Sequence, residues 1–304
     1  MSHRRHAAPL PLGGEDGLPY SKGLMARALI AAGVSAVRAY ELASRIDREL
    51  SETGRDSIEL ERCREVAQEV LGDDEGGAAI DRLLRFRDLQ ELELPILLLV
   101  GGATGTGKST VATEAAHRLG ITRVTSTDFV RQTMRAFFSM DFMPSIHYSS
   151  FEADQALRVP EDAEDPVVSG FLEQTRNVAV GVQASIDRAL EEGWSMVLEG
   201  VHLVPGLVPQ RPVQGALVVQ CVLTIDDEDA HASHFWVRDV SSDGVRPVHK
   251  YLDRLPDIRR VQEMIVRRAE RAGVPVIENT NMEKSIRTVM DLVLEGASHL
   301  EAVS

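Results

Sequence analysis

The stretch IleLeuLeuLeuValGlyGlyAlaThrGlyThrGlyLysSerThr, residues 96–110, joins an apolar run to a glycine-rich turn and the beginning of a helical pattern. Pro95 punctuates it, and the unbroken run from Ile96 to Val100 suits a strand buried on both faces. From Gly102 to Ser109 the residues satisfy GxxxxGKS, and Ser109 to Leu119 reads as a helix. That order of strand, loop and helix predicts a phosphate-binding loop. Glycines let successive backbone N–H groups curl towards a polyphosphate, and the new helix presents its positive end to the same charge. Lys108 would reach the β and γ phosphates and the Ser109 hydroxyl would ligate Mg²⁺. The nucleotide-binding candidates are therefore Gly102, Thr104, Gly105, Thr106, Gly107, Lys108, Ser109 and Thr110. The bland alternative, a glycine turn with a solvated lysine, requires the pattern and both flanking elements to coincide by chance.

Composition narrows the partners. The chain has 304 residues, 43% hydrophobic and 26% charged, which is ordinary for one large or two modest globular domains. Its formal charge of −14 opposes general binding to nucleic acid or to an anionic membrane surface. No apolar run approaches the roughly 20 residues of a membrane helix. The amino-terminal MetSerHisArgArgHis leads into Pro and Gly rather than an apolar core, so no signal peptide is visible and a cytoplasmic protein is expected. Cys63 and Cys221 have no Cys or His at ligand spacing, so neither a disulfide framework nor a structural zinc site is indicated.

Upstream of the loop, residues 1–18 are rich in Pro and Gly without periodicity and predict a flexible lead-in. Residues 19–92 read as a small helical domain. A first helix from Ser21 stops at Gly33, and Ser35 starts a second reaching Leu50. A third runs from about Ser57 to Leu71, and GlyAspAspGluGlyGly separates it from a fourth over Ala78 to about Gln90. Lys22 and Arg27 are two cations near its start that could meet a phosphate, or simply belong to a solvated face.

Downstream, residues 93–304 alternate strands and helices, which points to a parallel α/β sheet. Arg123 to Ser126 reads as a strand delivering Asp128, and the helix after it carries Arg131 and Arg135 one turn apart. Residues 141–153, with ProSerIleHisTyrSerSerPheGlu, lack periodicity and read as a functional loop. A helix from Gly170 to Glu192 precedes a strand over 194–199, whose terminal Glu199 is a candidate to sit beside the nucleotide Mg²⁺, with a strand-end Glu of no function as the competing reading. After a strand over 217–225, residues 237–256 set Arg238, Arg246, Lys250 and Arg254 among Ser, Gly and Pro. This basic segment reads as a lid, with a charged surface loop as the competing reading. Asp257 caps a further helix, 274–278 is a fifth strand, and AsnThrAsn after it places Asn279 where adenine might rest.

This order of pieces resembles the 2-phosphoglycerate kinases. The matching residues are ProTyrSerLysGlyLeuMetAlaArgAlaLeu from Pro19, GlyGlyAlaThrGlyThrGlyLysSerThr from Gly101, and SerThrAsp at 126–128 with Arg131 and Arg135. HisTyrSerSerPheGluAla from His147, LeuGluGlyValHisLeuValProGly from Leu198 and the IleArgArgValGln to IleGluAsnThrAsn region complete them. The resemblance implies an ATP-cone-like domain before a P-loop kinase core with five parallel strands in the order 2-3-1-4-5. It implies transfer of the ATP γ-phosphoryl group to 2-phosphoglycerate, giving 2,3-bisphosphoglycerate. In that scheme Asp128 orients or deprotonates the acceptor hydroxyl, and Ser109, Asp128 and Glu199 are candidates for Mg²⁺. Arg131, Arg135, His147, Tyr148 and Lys250 face the acceptor, while Arg238, Arg246 and Lys250 close over the transferring group. A kinase of another phosphorylated or polyol acceptor, such as an inositol phosphate, and a non-catalytic ATP-binding regulator remain as alternatives. A GTPase is disfavoured, because AsnThrAsnMet stands where AsnLysxAsp would read guanine.

Overall fold

The computed structural model describes residues 20–92, 94–158, 164–207, 215–241 and 248–303. Its contacts divide into two units, one up to Leu94 joined by residues from Met290 on, the other from Pro95 to Val289. In the first, aliphatic residues recur at helical spacing and four helices bury them: α1 (Lys22–Ala31), α2 (Ala36–Thr53), α3 (Leu60–Leu71) and α4 (Asp73–Glu91). Met25 and Leu29 of α1 pack with Leu42 and Ile46 of α2, Cys63 and Val66 of α3, and Ile80 and Leu83 of α4. Ser21 caps α1 through its side chain, and Lys22 is ion-paired to Asp47 at 3.7 Å.

The acidic run expected to separate the last two helices instead begins α4. Asp73, Asp74 and Glu75 occupy its first turn, where carboxylates offset the positive end of the helix. Only Gly72, with a φ of 96°, breaks the path. Gly76 is inside α4 because α3 crosses it closely: a Cβ there would lie 2.5 Å from the Ala67 carbonyl group.

The second unit holds a five-stranded parallel sheet: β1 (Ile96–Gly102), β2 (Val124–Ser126), β3 (Met196–Glu199), β4 (Leu217–Thr224) and β5 (Val276–Glu278). The strand order β2-β3-β1-β4-β5 is the one the family resemblance implies. All seven residues of β1 are buried, as a central strand covered on both faces requires. The helices of this unit are α5 (Lys108–Arg118), α6 (Thr127–Phe137), α7 (Pro166–Glu191), α8 (Glu228–Ser241), α9 (Val248–Asp253) and α10 (Leu255–Ala272), and α11 (Met282–Val303) begins here and is counted with the first unit from Met290 on. Leu97 and Leu99 pack with Val130 of α6 and with Val178, Val182 and Ile186 of α7. Val222 of β4 packs with Phe171 of α7 and with Val261, Met264 and Ile265 of α10. Among the described residues no helix is long and apolar enough to cross a membrane. Cys63 and Cys221 are free and buried, and burial pushes both thiols up to about 12.

Several boundaries differ from those read in the sequence. α7 starts at Pro166, because the Asp165 carboxylate accepts from the Val168 amide and proline suits the first turn. Residues 141–153 are not irregular throughout. A 3₁₀ turn over Pro144–His147 buries Ser145 and Ile146, and a second covers Ala153–Ala156. The described part of the predicted lid is mostly helical, as the end of α8, the whole of α9 and the first two residues of α10, with Arg254 in the turn between the last two. Val248, Tyr251 and Leu252 recur at helical spacing and pack towards Phe151, Phe235, Leu255 and Ile258, a signal the neighbouring cations obscured. Residues 242–247, with Arg246, and the Arg238 side chain lie outside the described residues. Asp257 lies in the first turn of α10 and accepts from Arg254 at 3.2 Å, so it is not the cap.

The two glycines of α4 predict opposite responses to the same substitution. Gly76→Ala should lower stability by about 1–3 kcal/mol, because backbone of α3 must move. Gly77→Ala meets only side-chain atoms at 3.9 Å and beyond, so it should raise stability by up to about 1 kcal/mol. Urea unfolding midpoints measure both, and shifts of equal sign would contradict the close crossing.

Candidate active site

Parallel strands leave their carboxyl ends at one edge of the sheet, where the chain turns and functional groups collect. The register places Val100 of β1, Glu199 of β3 and Ser126 of β2 side by side at that edge. The glycine loop follows β1 directly. Glu199 is the last residue of β3 and is buried, and Ser126 both ends β2 and caps α6 by accepting from the Phe129 amide at 3.0 Å. Asp128 therefore stands in the first turn of α6, a favourable place for negative charge.

A cleft of about 370 Å³ opens between these elements, lined among others by Thr104, Lys108, Ser109, Asp128, Arg131 and Glu199. Its far wall is Ser149 to Phe151 together with Tyr251. Thr104 Oγ1 lies 3.5 Å from Ser150 Oγ, which links the loop to that wall. Lys108 Nζ donates to the Ala103 carbonyl at 2.9 Å, and Thr106 Oγ1 donates to the same oxygen at 3.0 Å. Burial pushes the Lys108 ammonium below the usual lysine value, against the opposing pull of Glu199 and then Asp128. A desolvated cation above a glycine loop fits a polyphosphate, which would satisfy it. Thr110 sits in the first turn of α5.

Ser109 and Glu199 are the oxygen donors nearest in kind to a Mg²⁺ site, with Asp128 across the same cleft. Among the described residues no three Asp, Glu, His or Cys side chains group closely enough to hold a metal by themselves. That donor set suits a cation carried mainly by substrate phosphates and water, as Mg²⁺ usually is.

Several predicted site residues have other partners here. Arg131 is buried, with a side chain 8% exposed against 59% for Asp128. Its Nε and Nη2 donate to Asp128 Oδ1 at 3.0 and 2.8 Å, while Nη1 donates to the Ile146 and Tyr148 carbonyls. Four of its five donors are thus taken, so Arg131 holds the Asp128 carboxylate instead of standing as an open fork for an acceptor. Arg135 is exposed, bonds Gln132 Oε1 and reaches the cleft only through that residue. The His147 ring bonds the Phe138 carbonyl, and Tyr148 enters the site through its backbone oxygen. Lys250 pairs with Glu152 at 2.9 Å and lies 3.5 Å from Ser149 Oγ, at the margin of the cleft. Asn279 is buried behind the loop, where Nδ2 donates to the Thr106 carbonyl at 2.9 Å and Oδ1 accepts from Ser285. It braces the loop.

Sequence reasoning assigned no role to His202 or Gln174. Gln174 Nε2 donates to the Ser145 and Tyr148 carbonyls, which turns Oε1 towards His202 Nε2 at 3.0 Å. His202 must donate there, and its bare Nδ1 accepts from Thr127 Oγ1 at 2.9 Å. The chain of bonds thus runs from α7 through His202 to the first turn of α6, and through Tyr148 and Arg131 to Asp128. Gly200 makes it possible. A Cβ at that residue, whose φ is 149°, would sit 1.9 Å from Thr127 Oγ1. The only sequence signal was the unexplained GluGlyValHis run.

The chain is similar to proteins of known activity over most of its length. A 2-phosphoglycerate kinase of Methanothermobacter thermautotrophicus is 39% identical over 273 residues, covering 90% of this chain and 89% of the relative. One of Methanopyrus kandleri is 35% identical, with 91% and 84% covered. One of Thermococcus kodakarensis is 36% identical, with 90% and 92% covered. No family model matches.

The buried histidine makes stability depend on pH. Burial first, then Arg131, pushes His202 from the ordinary 6.5 down to about 3. Between those values the unfolded chain binds the extra proton, so this contribution is complete above pH 6.5 and is lost as pH falls towards 3. From pH 7 to pH 5 the protein should lose about 2 kcal/mol more than a His202→Asn variant, measured by urea unfolding. Parallel pH profiles would contradict a neutral, buried His202.

Proposed function

This chain belongs to the 2-phosphoglycerate kinase family, and from that premise we propose how its cleft transfers the γ-phosphoryl group of ATP to 2-phosphoglycerate. The products are 2,3-bisphosphoglycerate and ADP. The observation that carries the reading is the Asp128 carboxylate, held by Arg131 in the same cleft as Lys108. A new bond forms between the acceptor's 3-hydroxyl oxygen and the γ phosphorus while the bond to the β–γ bridging oxygen breaks. Asp128 orients that hydroxyl and takes its proton, and ADP leaves with the bridging oxygen.

The loop from Gly102 to Ser109 holds the polyphosphate, with Lys108 offsetting the charge on its outer oxygens. Ser109 and Glu199 are the residues to hold Mg²⁺, which when bound neutralises phosphate charge. Positioning supplies much of the rest, because phosphoryl transfer asks the protein for alignment more than for covalent chemistry. Lys250 and Arg135, at the margin of the cleft, are the described cations that can turn to the acceptor's phosphate and carboxylate. His202 and Gln174 act at a distance by fixing the backbone that Arg131 grips. The helical unit of residues 19–92 is read as an ATP-cone-like domain on its sequence resemblance.

Incubation with Mg-ATP and either 2- or 3-phosphoglycerate, followed by mass identification of products, tests the reading. 2,3-Bisphosphoglycerate is expected from the first, and no turnover of 2-phosphoglycerate would overturn it. Lys108→Ala should abolish transfer with the fold intact by circular dichroism. Asp128→Asn should lower kcat by about 10²–10⁴-fold and leave ATP affinity nearly unchanged. Near-normal kcat in the Asp128 variant would remove the proposed base.

A further inference from the structure

A phosphate-binding loop works only if its carbonyl oxygens are turned away from the ligand, since a trans peptide points its C=O and N–H in opposite directions. Four successive carbonyls of this loop accept from side chains. Ala103 is held by Thr106 and Lys108, and Thr106 by Asn279, as described above. The two between them are held from α8. The Thr104 carbonyl lies 2.8 Å from His231 Nε2, and the Gly105 carbonyl lies 3.0 Å from His234 Nδ1. A carbonyl can only accept, so each ring nitrogen carries the proton.

His231 is fully buried, and its other nitrogen, Nδ1, is buried with no hydrogen-bond partner among the described residues. Leaving a polar atom unsatisfied is unfavourable, which argues that the ring is there for its Nε2 donor. Packing agrees. Gly105 has a φ of 89°, and a Cβ on it would come within 2.5 Å of Phe235 Cζ and 2.9 Å of His231 Nε2. The Phe235 ring stacks on His231 at 5.5 Å and on Tyr251, in the cleft wall, at 5.1 Å. α8 is itself anchored: Asp227 caps its first turn, and Arg259 and Gln262 of α10 bond the Ile225 and Asp226 carbonyls before it.

We infer that His231 and His234 are positioning residues for the nucleotide: one turn apart on α8, they turn the Thr104 and Gly105 carbonyls outward and so aim the following amides at the polyphosphate. The amide after Thr104 is that of Gly105. The one after Gly105, on Thr106, keeps a long 3.5 Å contact to the Ala103 oxygen that a phosphate can displace. Neither histidine lines the cleft, so both act through the loop backbone. The inference rests on the ATP-binding reading of the loop and does not depend on which acceptor is used.

The test follows from the geometry of the donors. A glutamine amide can replace Nε2 of His231, an asparagine amide can replace Nδ1 of His234, and leucine replaces neither. His231→Leu and His234→Leu should each weaken ADP binding by roughly tenfold in calorimetric titration and raise the KM for ATP similarly. The KM for 2-phosphoglycerate should stay within about twofold. His231→Gln and His234→Asn should return ADP affinity to within about threefold of the unaltered protein. Because His234 is only partly buried, its variants carry the test if His231→Leu fails to fold. Unchanged ADP affinity in the His234→Leu protein would overturn the inference, as would equal damage to both substrates or failure of the amide variants to restore binding. Tight ADP binding without turnover of 2-phosphoglycerate in the unaltered protein would instead remove the acceptor assignment and leave this test intact.

Discussion

One oxygen sets the geometry of the catalytic half of this molecule. The Ala103 carbonyl accepts both the Thr106 hydroxyl and the Lys108 ammonium, which folds the loop back on itself immediately after β1. Ala103 can serve as a fixed point because it is buried, packed with Phe151, Phe235, Leu255 and Ile258. Lys108 is thereby held half-buried at the cleft, and burial lowers its proton affinity despite Glu199 and Asp128. A polyphosphate repairs that deficit, so binding energy comes from a state prepared in the fold.

The side proposed for the acceptor rests on a second set of bonds that shares no residue with the first. Arg131 grips Asp128 and draws its own support from the Ile146 and Tyr148 carbonyls. Gln174 fixes Tyr148, and His202 ties Gln174 to Thr127, beside Asp128 in sequence. The two sets meet near the edge of the sheet where β3 ends at Glu199, in register with Val100 of β1 two residues before that strand ends. Donor and acceptor machinery are each pre-shaped, and the sheet edge sets their separation.

What was legible in the sequence is what local spacing encodes. The apolar run, the glycines and the helix after them are contiguous, so strand, loop and helix follow from one reading of residues 96–119. The strand-end acid at Glu199 and the early position of Asp128 were legible for the same reason. Roles that depend on long-range partners were not. Arg131 reads as a free cation until its three-residue neighbour Asp128 and the 146–148 backbone are brought to it. Asn279 looks like an adenine contact from its place after β5, yet it bonds Thr106 from 173 residues away. His202 carried no spacing signal at all, because Thr127 and Gln174 come from different helices. In the basic segment, charge drew attention from the helical period of Val248, Tyr251 and Leu252. At α4, two glycines suggested a break where close packing against α3 was the reason for one of them.

The central claim is that the cleft passes a phosphoryl group to a seated acceptor and does not hydrolyse ATP in its own right. Counting ADP formed with and without 2-phosphoglycerate, against 2,3-bisphosphoglycerate by phosphorus NMR, tests it most directly. One bisphosphoglycerate for each ADP, with ADP release falling to a trace when the acceptor is withheld, is the result the structure predicts. ADP appearing at the same rate without acceptor would contradict it.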